Sequence, residues 1–542
     1  TLPRGGIRTR LIDGGNGTFG ALNGRDVDNT AVLMEFNTWN NWLKAAMLGA
    51  EQVIFIEPDS TSFTQAEQKF LQVPNSVERF WIDQASGRRL QAQLKEKGSI
   101  SVELKARMEW EKNPAKNILG WIPGTDPVLR DKIVVINAYY DAMSVVPALA
   151  PGAEMACGIV GLLELASYFQ RYPPGHTVLF LASSGHHLGS RGISDFLNRH
   201  SRKEKHFKAL MSDPIDIPLF IALDLSSQTD EIGVWNGSEH FFYKRFFTPF
   251  GKSFVQFGKS IARRIGLDQK TAMIDGINPK GGVNWDMYMP GENLKVDGEW
   301  VLKAGTPALN LVTVNDARFR VDTPLDTPAF VNYKNLTGQI RLLAGVLDLG
   351  LNWDQFLPSY KLEPDDRMRA LKGAVRTFPR RSITPNKPRP GAIAVLRTVS
   401  NGYPRTGSPK SVRGVRMIYY DLADEQGEFY IPGLIDFANR NNPRVNLQTF
   451  YLDPETGEIT YAPNRKTTNR AYSDTFNANW WTIERTLILF PCVATDFYDT
   501  VDPRYLNTLH QISVYGEGNT APQEYGYAIG SGEDEPVGGG FT

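Results

Sequence analysis

Cysteine is scarce in this chain of 542 residues: only Cys157 and Cys492 occur. At most one disulfide can form, which excludes a scaffold built on disulfides. No run approaches 18 consecutive apolar residues, so the sequence offers no transmembrane helix. An excess of charge of one sign is also missing, because 59 Lys and Arg balance 59 Asp and Glu. That balance removes any general attraction to nucleic acid or an anionic membrane, and no nucleic-acid partner is expected. What the chain does have is aromatic side chains (11 %, with 11 Trp and 20 Tyr), 49 Gly and 34 Pro. This composition suits loop-rich, β-containing globular domains and argues against disorder, coiled coil or an all-helical bundle.

The pattern divides the chain into segments. In residues 1–115 the apolar strand Ala31–Phe36, the short helix Trp42–Gly49 and the buried-type strand Gln52–Ile56 make a small α/β unit with one βαβ crossover. Residues 116–377 alternate strands (Lys132–Ala138, His176–Ala182, Leu219–Asp224, Ala308–Val312) with helices (Gly158–Phe169, Tyr333–Leu349). Such alternation predicts a mostly parallel sheet with helices on both faces, with sites at the carboxyl ends of the strands. Residues 378–390 read as a Pro-rich, basic, extended linker, and 391–515 change to short alternating strands, expected to form a β-sandwich. Val415–Asp421 and Glu428–Leu434 flank Asp424-Glu-Gln-Gly427 and read as a hairpin; Asp453-Pro-Glu-Thr-Gly457 reads as a second turn. Residues 516–542 are expected to be a flexible tail. Trp42, Trp110 and Trp121 are read as core. Cys157 and Cys492 fall in different segments, so no bridge is expected between them.

One series of motifs carries chemistry. It runs Ile136-Asn-Ala-Tyr-Tyr-Asp-Ala142, Pro151-Gly-Ala-Glu-Met-Ala-Cys-Gly158, Phe180-Leu-Ala-Ser-Ser-Gly-His-His-Leu-Gly-Ser-Arg-Gly192, Ala222-Leu-Asp-Leu225, Gly305-Thr-Pro-Ala-Leu-Asn-Leu311 and Val321-Asp-Thr-Pro-Leu-Asp-Thr327. In order, spacing and flanking residues, this series resembles metallopeptidase family 28, the zinc aminopeptidases with two co-catalytic metals. The first segment resembles the protease-associated domain, and the third the carboxypeptidase-regulatory-like sandwich. The resemblance implies a zinc aminopeptidase-like fold, a zinc-dependent hydrolase ancestry and a location outside the cytoplasm.

The departures from the family pattern fall at its metal site. The resemblance places Tyr139 where the family has a ligand histidine, Glu154 where it has the bridging aspartate, and His186 at the general base. It places His187 and Asp322 at two further ligand positions. Asp224 keeps the ligand identity, and Asp141 keeps the identity of the residue that supports the first ligand. A phenol with a pKa of about 10 is a poor zinc ligand at neutral pH, so Tyr139 and Asp141 are not expected to ligate. Glu154, His187, Asp224 and Asp322 remain the candidate metal ligands, with Glu154, His187 and Asp322 chemically able to hold one ion. Whether one zinc ion is bound or none stays open at this point. Two functions follow. The first is an extracytoplasmic pseudopeptidase with a binding, scaffolding or assembly role toward a protein or peptide. The alternative is an active metallo-aminopeptidase or amidohydrolase with a remodelled mononuclear site and His186 as base.

Overall fold

The computed structural model describes residues 2–69, 77–107, 113–201, 214–235, 240–268, 272–275, 296–359, 362, 369–377, 387–399 and 415–434. It also describes the shorter stretches 445–453, 455–456, 459–461, 465–467 and 482–488. Trp110, Cys492, most of the linker (378–386) and the tail 516–542 lie outside them. Among the described residues no helix is long and apolar enough to cross a membrane.

The N-terminal sheet has five strands in the order Glu78–Ile82, Gln52–Ile56, Thr30–Glu35, Ile7–Gly15, Ser99–Leu104. All neighbours run parallel except the last pair. The expected crossover is there: the helix Trp42–Met47 joins two adjacent parallel strands, and Trp42 is buried beneath it.

The second sheet has seven strands. Their order is Met273–Asp275, Ile232–Trp235, Ala308–Thr313, Leu219–Asp224, Ile133–Tyr139, Thr177–Ser183, Ile118–Ile122. The four strands from Ala308–Thr313 to Thr177–Ser183 are mutually parallel. Their residues are buried on both faces almost throughout, which is why they read as unbroken apolar runs. The helix Cys157–Arg171 turns Leu162, Leu165 and Phe169 to the sheet, at the spacing of one helical face, and packs beside Tyr333–Leu351. The fold class is thus the mixed α/β architecture expected. Trp121 departs from expectation: it is 47 % exposed, because Ile118–Ile122 is an edge strand at the rim of the sheet.

Two further sheets follow. One has the order Lys387–Pro388, Arg369–Thr377, Glu428–Leu434, with Thr482–Ile488 pairing parallel to Arg369–Thr377. The other has the order Val415–Leu422, Ile393–Val399, Val445–Leu452, Ile459–Tyr461, with Arg465–Thr467 also on Val445–Leu452. Two corrections arise here. Arg369–Thr377, placed with the α/β segment by sequence, is a strand of the C-terminal β region, and the linker's last residues already pair with it. The expected hairpin is not one: Val415–Leu422 and Glu428–Leu434 belong to different sheets. Asp421 Oδ2 takes the amide of Tyr430 at 2.6 Å, a donor that a hairpin ladder would have used, and the tight turn at Asp424–Gly427 carries the chain across the corner. The turn after Leu452 does join paired strands, capped by Asp453 accepting from the amides of Glu455 and Thr456.

Candidate functional site

The carboxyl ends of the parallel strands deliver Tyr139, Ser183 and Asp224 to one edge of the sheet. After Ser183 the chain makes one turn of 3-10 helix, His186–Leu188, bracketed by Gly185 (φ 66°) and Gly189 (φ 74°) in left-handed conformation. Only glycine takes that conformation without cost, and a Cβ at Gly189 would also lie 2.2 Å from the Tyr419 ring. The Asp141 carboxylate closes the turn by accepting from the amides of His186 (3.1 Å) and His187 (3.4 Å). Asp141 therefore holds the backbone of the histidine pair, rather than the side chain at position 139.

His186 stacks on Tyr139, ring centroids 4.0 Å apart and 15° between planes, and His187 meets both rings edge-on. His186 Nδ1 donates to Asp297 Oδ1 at 2.8 Å. Asp297 also accepts from Ser183 Oγ (3.0 Å) and Ser190 Oγ (2.8 Å). Burial alone would lower the His186 pKa. The charge and hydrogen bond of Asp297, helped by Asp141 and Asp224, outweigh it and set the pKa at about 9. The raised pKa favours the cationic imidazole at neutral pH, engaged with the Asp297 carboxylate. His187 is neutral, held well below the ordinary imidazole range by burial and by the neighbouring charge of His186.

Glu154, 2 % exposed, is turned inward. One oxygen accepts from the Ser227 amide (2.6 Å); the other accepts from Ser227 Oγ (2.5 Å) and from Gln228 Nε2. Its own amide donates to Asp326 Oδ1 (2.8 Å). Asp224 is paired with a residue that the motifs do not contain, Arg318, at 2.8 Å. Both side chains of that pair are 4 % exposed. The Tyr139 hydroxyl donates to the same Asp224 oxygen at 3.5 Å. Burial, and next the charge of Asp224, keep this phenol well above its ordinary pKa, so it stays protonated. Cys157 is buried, and its thiol is pushed up by burial and then by the Glu154 carboxylate, which fits a structural role. Asp322 is buried in left-handed conformation (φ 64°). Its carbonyl accepts from Val145, and the preceding Val321 packs with Tyr139 and Met155.

The structure thus brings Tyr139, Asp141, His186, His187 and Asp224 together, adds Arg318 and Asp297, and sets Glu154 against Ser227 and Gln228. Zinc needs three or four donors with lone pairs to spare. Among the described residues no three His, Cys, Asp or Glu side chains are arranged to hold a metal ion. Asp224 Oδ1 is salt-bridged to a guanidinium, while its buried Oδ2 makes no hydrogen bond among the described residues, and both oxygens of Glu154 are taken. The residues present therefore do not fit a two-zinc centre.

The pH dependence of this cluster is measurable. His186 has a folded pKa raised from 6.5 to about 9. The stabilisation it contributes is fully present below pH 6.5 and is lost as pH rises through 9. In denaturant titrations from pH 6.5 to 9.5 the wild-type chain should lose stability that a His186→Gln variant does not lose. An imidazole NMR signal of His186 moving near pH 6.5 would contradict the assignment.

The family model for peptidase family M28 matches residues 117–242. No curated protein matches the sequence. Among solved structures, BSAP, a zinc aminopeptidase from Bacillus subtilis, is 16 % identical, with 67 % of this chain and 79 % of that chain covered and a TM-score of 0.38. A peptidase M28 precursor from Shewanella amazonensis is 15 % identical over 67 % and 78 %, with a TM-score of 0.40. The gamma-secretase component nicastrin is 12 % identical over 67 % and 72 %, with a TM-score of 0.44. The matched segment carries Tyr139, Asp141, Glu154, His186, His187 and Asp224, and in this part of the chain the fold is peptidase M28-like.

Proposed function

We propose that the chain uses an M28-like fold to bind or scaffold a protein or peptide partner and does not hydrolyse peptides. The observation that carries this reading is Glu154. It stands where a carboxylate would bridge two metals, and Ser227 and Gln228 close both of its oxygens. The commitment of His186 to Asp297 supports it as well, since peptide hydrolysis on a metal needs a base that can take a proton from bound water. Beside the site, Tyr140, Leu188, Phe319 and Phe330 remain more than 40 % exposed, an apolar rim suited to a partner. A location outside the cytoplasm is part of the proposal and is supported by the resemblance of the first and third segments to domains of secreted and surface proteins.

One observation favours the alternative of a single metal: His187 Nε2 is buried and makes no hydrogen bond among the described residues. Elemental analysis of protein purified without chelators, paired with a panel of aminoacyl substrates with and without added zinc, decides between the two. The expected result is less than a stoichiometric amount of zinc and no turnover. Two equivalents of zinc with turnover that His186→Ala abolishes would overturn the proposal. One equivalent with turnover would instead favour the mononuclear alternative.

A further inference from the structure

We propose that Arg318 is the built-in cation of this site, a guanidinium that supplies at Asp224 the positive charge a metal ion would otherwise bring. The inference rests on the non-hydrolytic reading above and deepens it, because it names what took the metal's electrostatic place. Arg318 lies outside the segment matched to the peptidase family and in none of the motifs.

Four observations point to it. Its guanidinium contacts Asp224 twice, at the carboxylate (2.8 Å) and at the backbone carbonyl (3.1 Å). Both partners are buried, where neither charge is stable without the other. The arginine is held from behind: Asp316 Oδ1 accepts from the Arg318 amide at 2.7 Å. The other oxygen of Asp316 accepts from Ser226 Oγ (2.6 Å) and the Gln228 amide (3.1 Å), fixing the loop to the end of the strand that carries Asp224. Finally, Tyr139, which replaces an imidazole, donates to the oxygen that Arg318 binds. A phenol O–H beside a carboxylate and a guanidinium is well matched, whereas a phenol beside a divalent ion would have to ionise to ligate. Tyr139 and Arg318 thus read as one exchange: a neutral donor and a fixed cation in place of a ligand and its metal. A metal at Asp224 would be repelled by the guanidinium already there.

The consequence is that removing Arg318 uncovers a latent cation site. The test uses the full chain. Arg318→Ala should lower the thermal midpoint by roughly 10 °C, because Asp224 is left buried and unpaired. Millimolar methylguanidinium should restore at least half of that loss and leave the wild type unmoved, with tetramethylammonium at equal ionic strength as the inert control. Zinc chloride should also raise the midpoint of Arg318→Ala, and neither cation should act on Asp224→Asn/Arg318→Ala. Should Arg318→Ala fail to fold, Asp224→Asn/Arg318→Met keeps the question decidable, since it should be more stable than Asp224→Asn alone. A folded Arg318→Ala that is as stable as the wild type or indifferent to both cations overturns the inference, and so does additive destabilisation in the double variant. Those outcomes concern the variants only. Failure of the non-hydrolytic reading would appear instead as zinc and turnover in the wild-type protein.

Discussion

Gly192→Val is expected to leave little folded protein. Gly192 opens the helix Arg191–His200 directly behind the histidine turn. A Cβ there would lie 2.4 Å from the Ser184 carbonyl oxygen, 2.5 Å from Asn117 Oδ1 and 2.8 Å from the Ser184 amide. Two of those neighbours are backbone of the strand end and cannot swing aside. The approach is close because the Gly192 amide donates to the Ser184 carbonyl (2.9 Å), while Asn117 Nδ2 donates to the Gly192 carbonyl (2.8 Å). Valine must break both bonds as well as displace the strand. Overpacking at about 1–3 kcal/mol and buried groups left unpaired at about 1–3 kcal/mol for each of the two bonds bring the total to about 3–9 kcal/mol. That is a large share of the 5–15 kcal/mol that typically holds a domain together. Urea unfolding followed by circular dichroism measures it, and a Gly192→Val unfolding free energy within about 1 kcal/mol of wild type would show that the loop yields.

Trp300→Ala carries the second large effect. Trp300 lies on the short helix Gly298–Lys303, fully buried, and its indole N–H donates to the Gly433 carbonyl at 2.7 Å. This bond crosses from the α/β sheet layer to the end of the strand Glu428–Leu434. Gly433 fits there because any Cβ would fall 2.0 Å from Ser194 Oγ. Truncating a buried tryptophan costs about 3–5 kcal/mol, and the orphaned carbonyl adds about 1–3 kcal/mol. Trp300→Phe separates the two contributions, since it keeps most of the volume and loses only the bond. The expected order of stability is wild type, Trp300→Phe, Trp300→Ala. Faster proteolysis within 415–434 should accompany the last. Equal stability of the two variants would mean that the ring volume contributes nothing.

Sequence reading reached the sheet architecture because strands buried on both faces leave a plain signal. Gln52–Ile56 and Leu219–Asp224 are bounded by turn residues and contain little that a helix would prefer. It reached Tyr139, Asp141, His186, His187 and Asp224 because each stands next to a strand end in an ordered motif. Arg318 and Asp297 were beyond it. Neither has a local signature, and their meaning comes from partners about 90 and 110 residues away in the chain. The loop that carries Arg318 was equally opaque: Asn315, Arg318, Arg320 and Asp322 all have positive φ, and arginine, at two of these positions, seldom does so without a tertiary reason. The hairpin expected at 415–434 failed for a related reason. Turn composition identified a reversal correctly, but Asp421 spends its carboxylate on the Tyr430 amide, and no local pattern distinguishes that from a ladder.

The N-terminal unit reaches across to this same loop. Thr61 offers its carbonyl to the Arg320 amide (2.9 Å), and Phe63 packs on the cluster of Tyr139, Met155 and Val321. In the ribosome's order of events these partners are far apart. Thr61 and Phe63 are synthesised about 260 residues before Arg320, an interval of roughly 13–50 s at 5–20 residues per second. Through that interval the Phe63 ring can meet only Tyr139 and Met155 of its cluster, and residues 318–322 are the piece on which the closing of the cleft must wait.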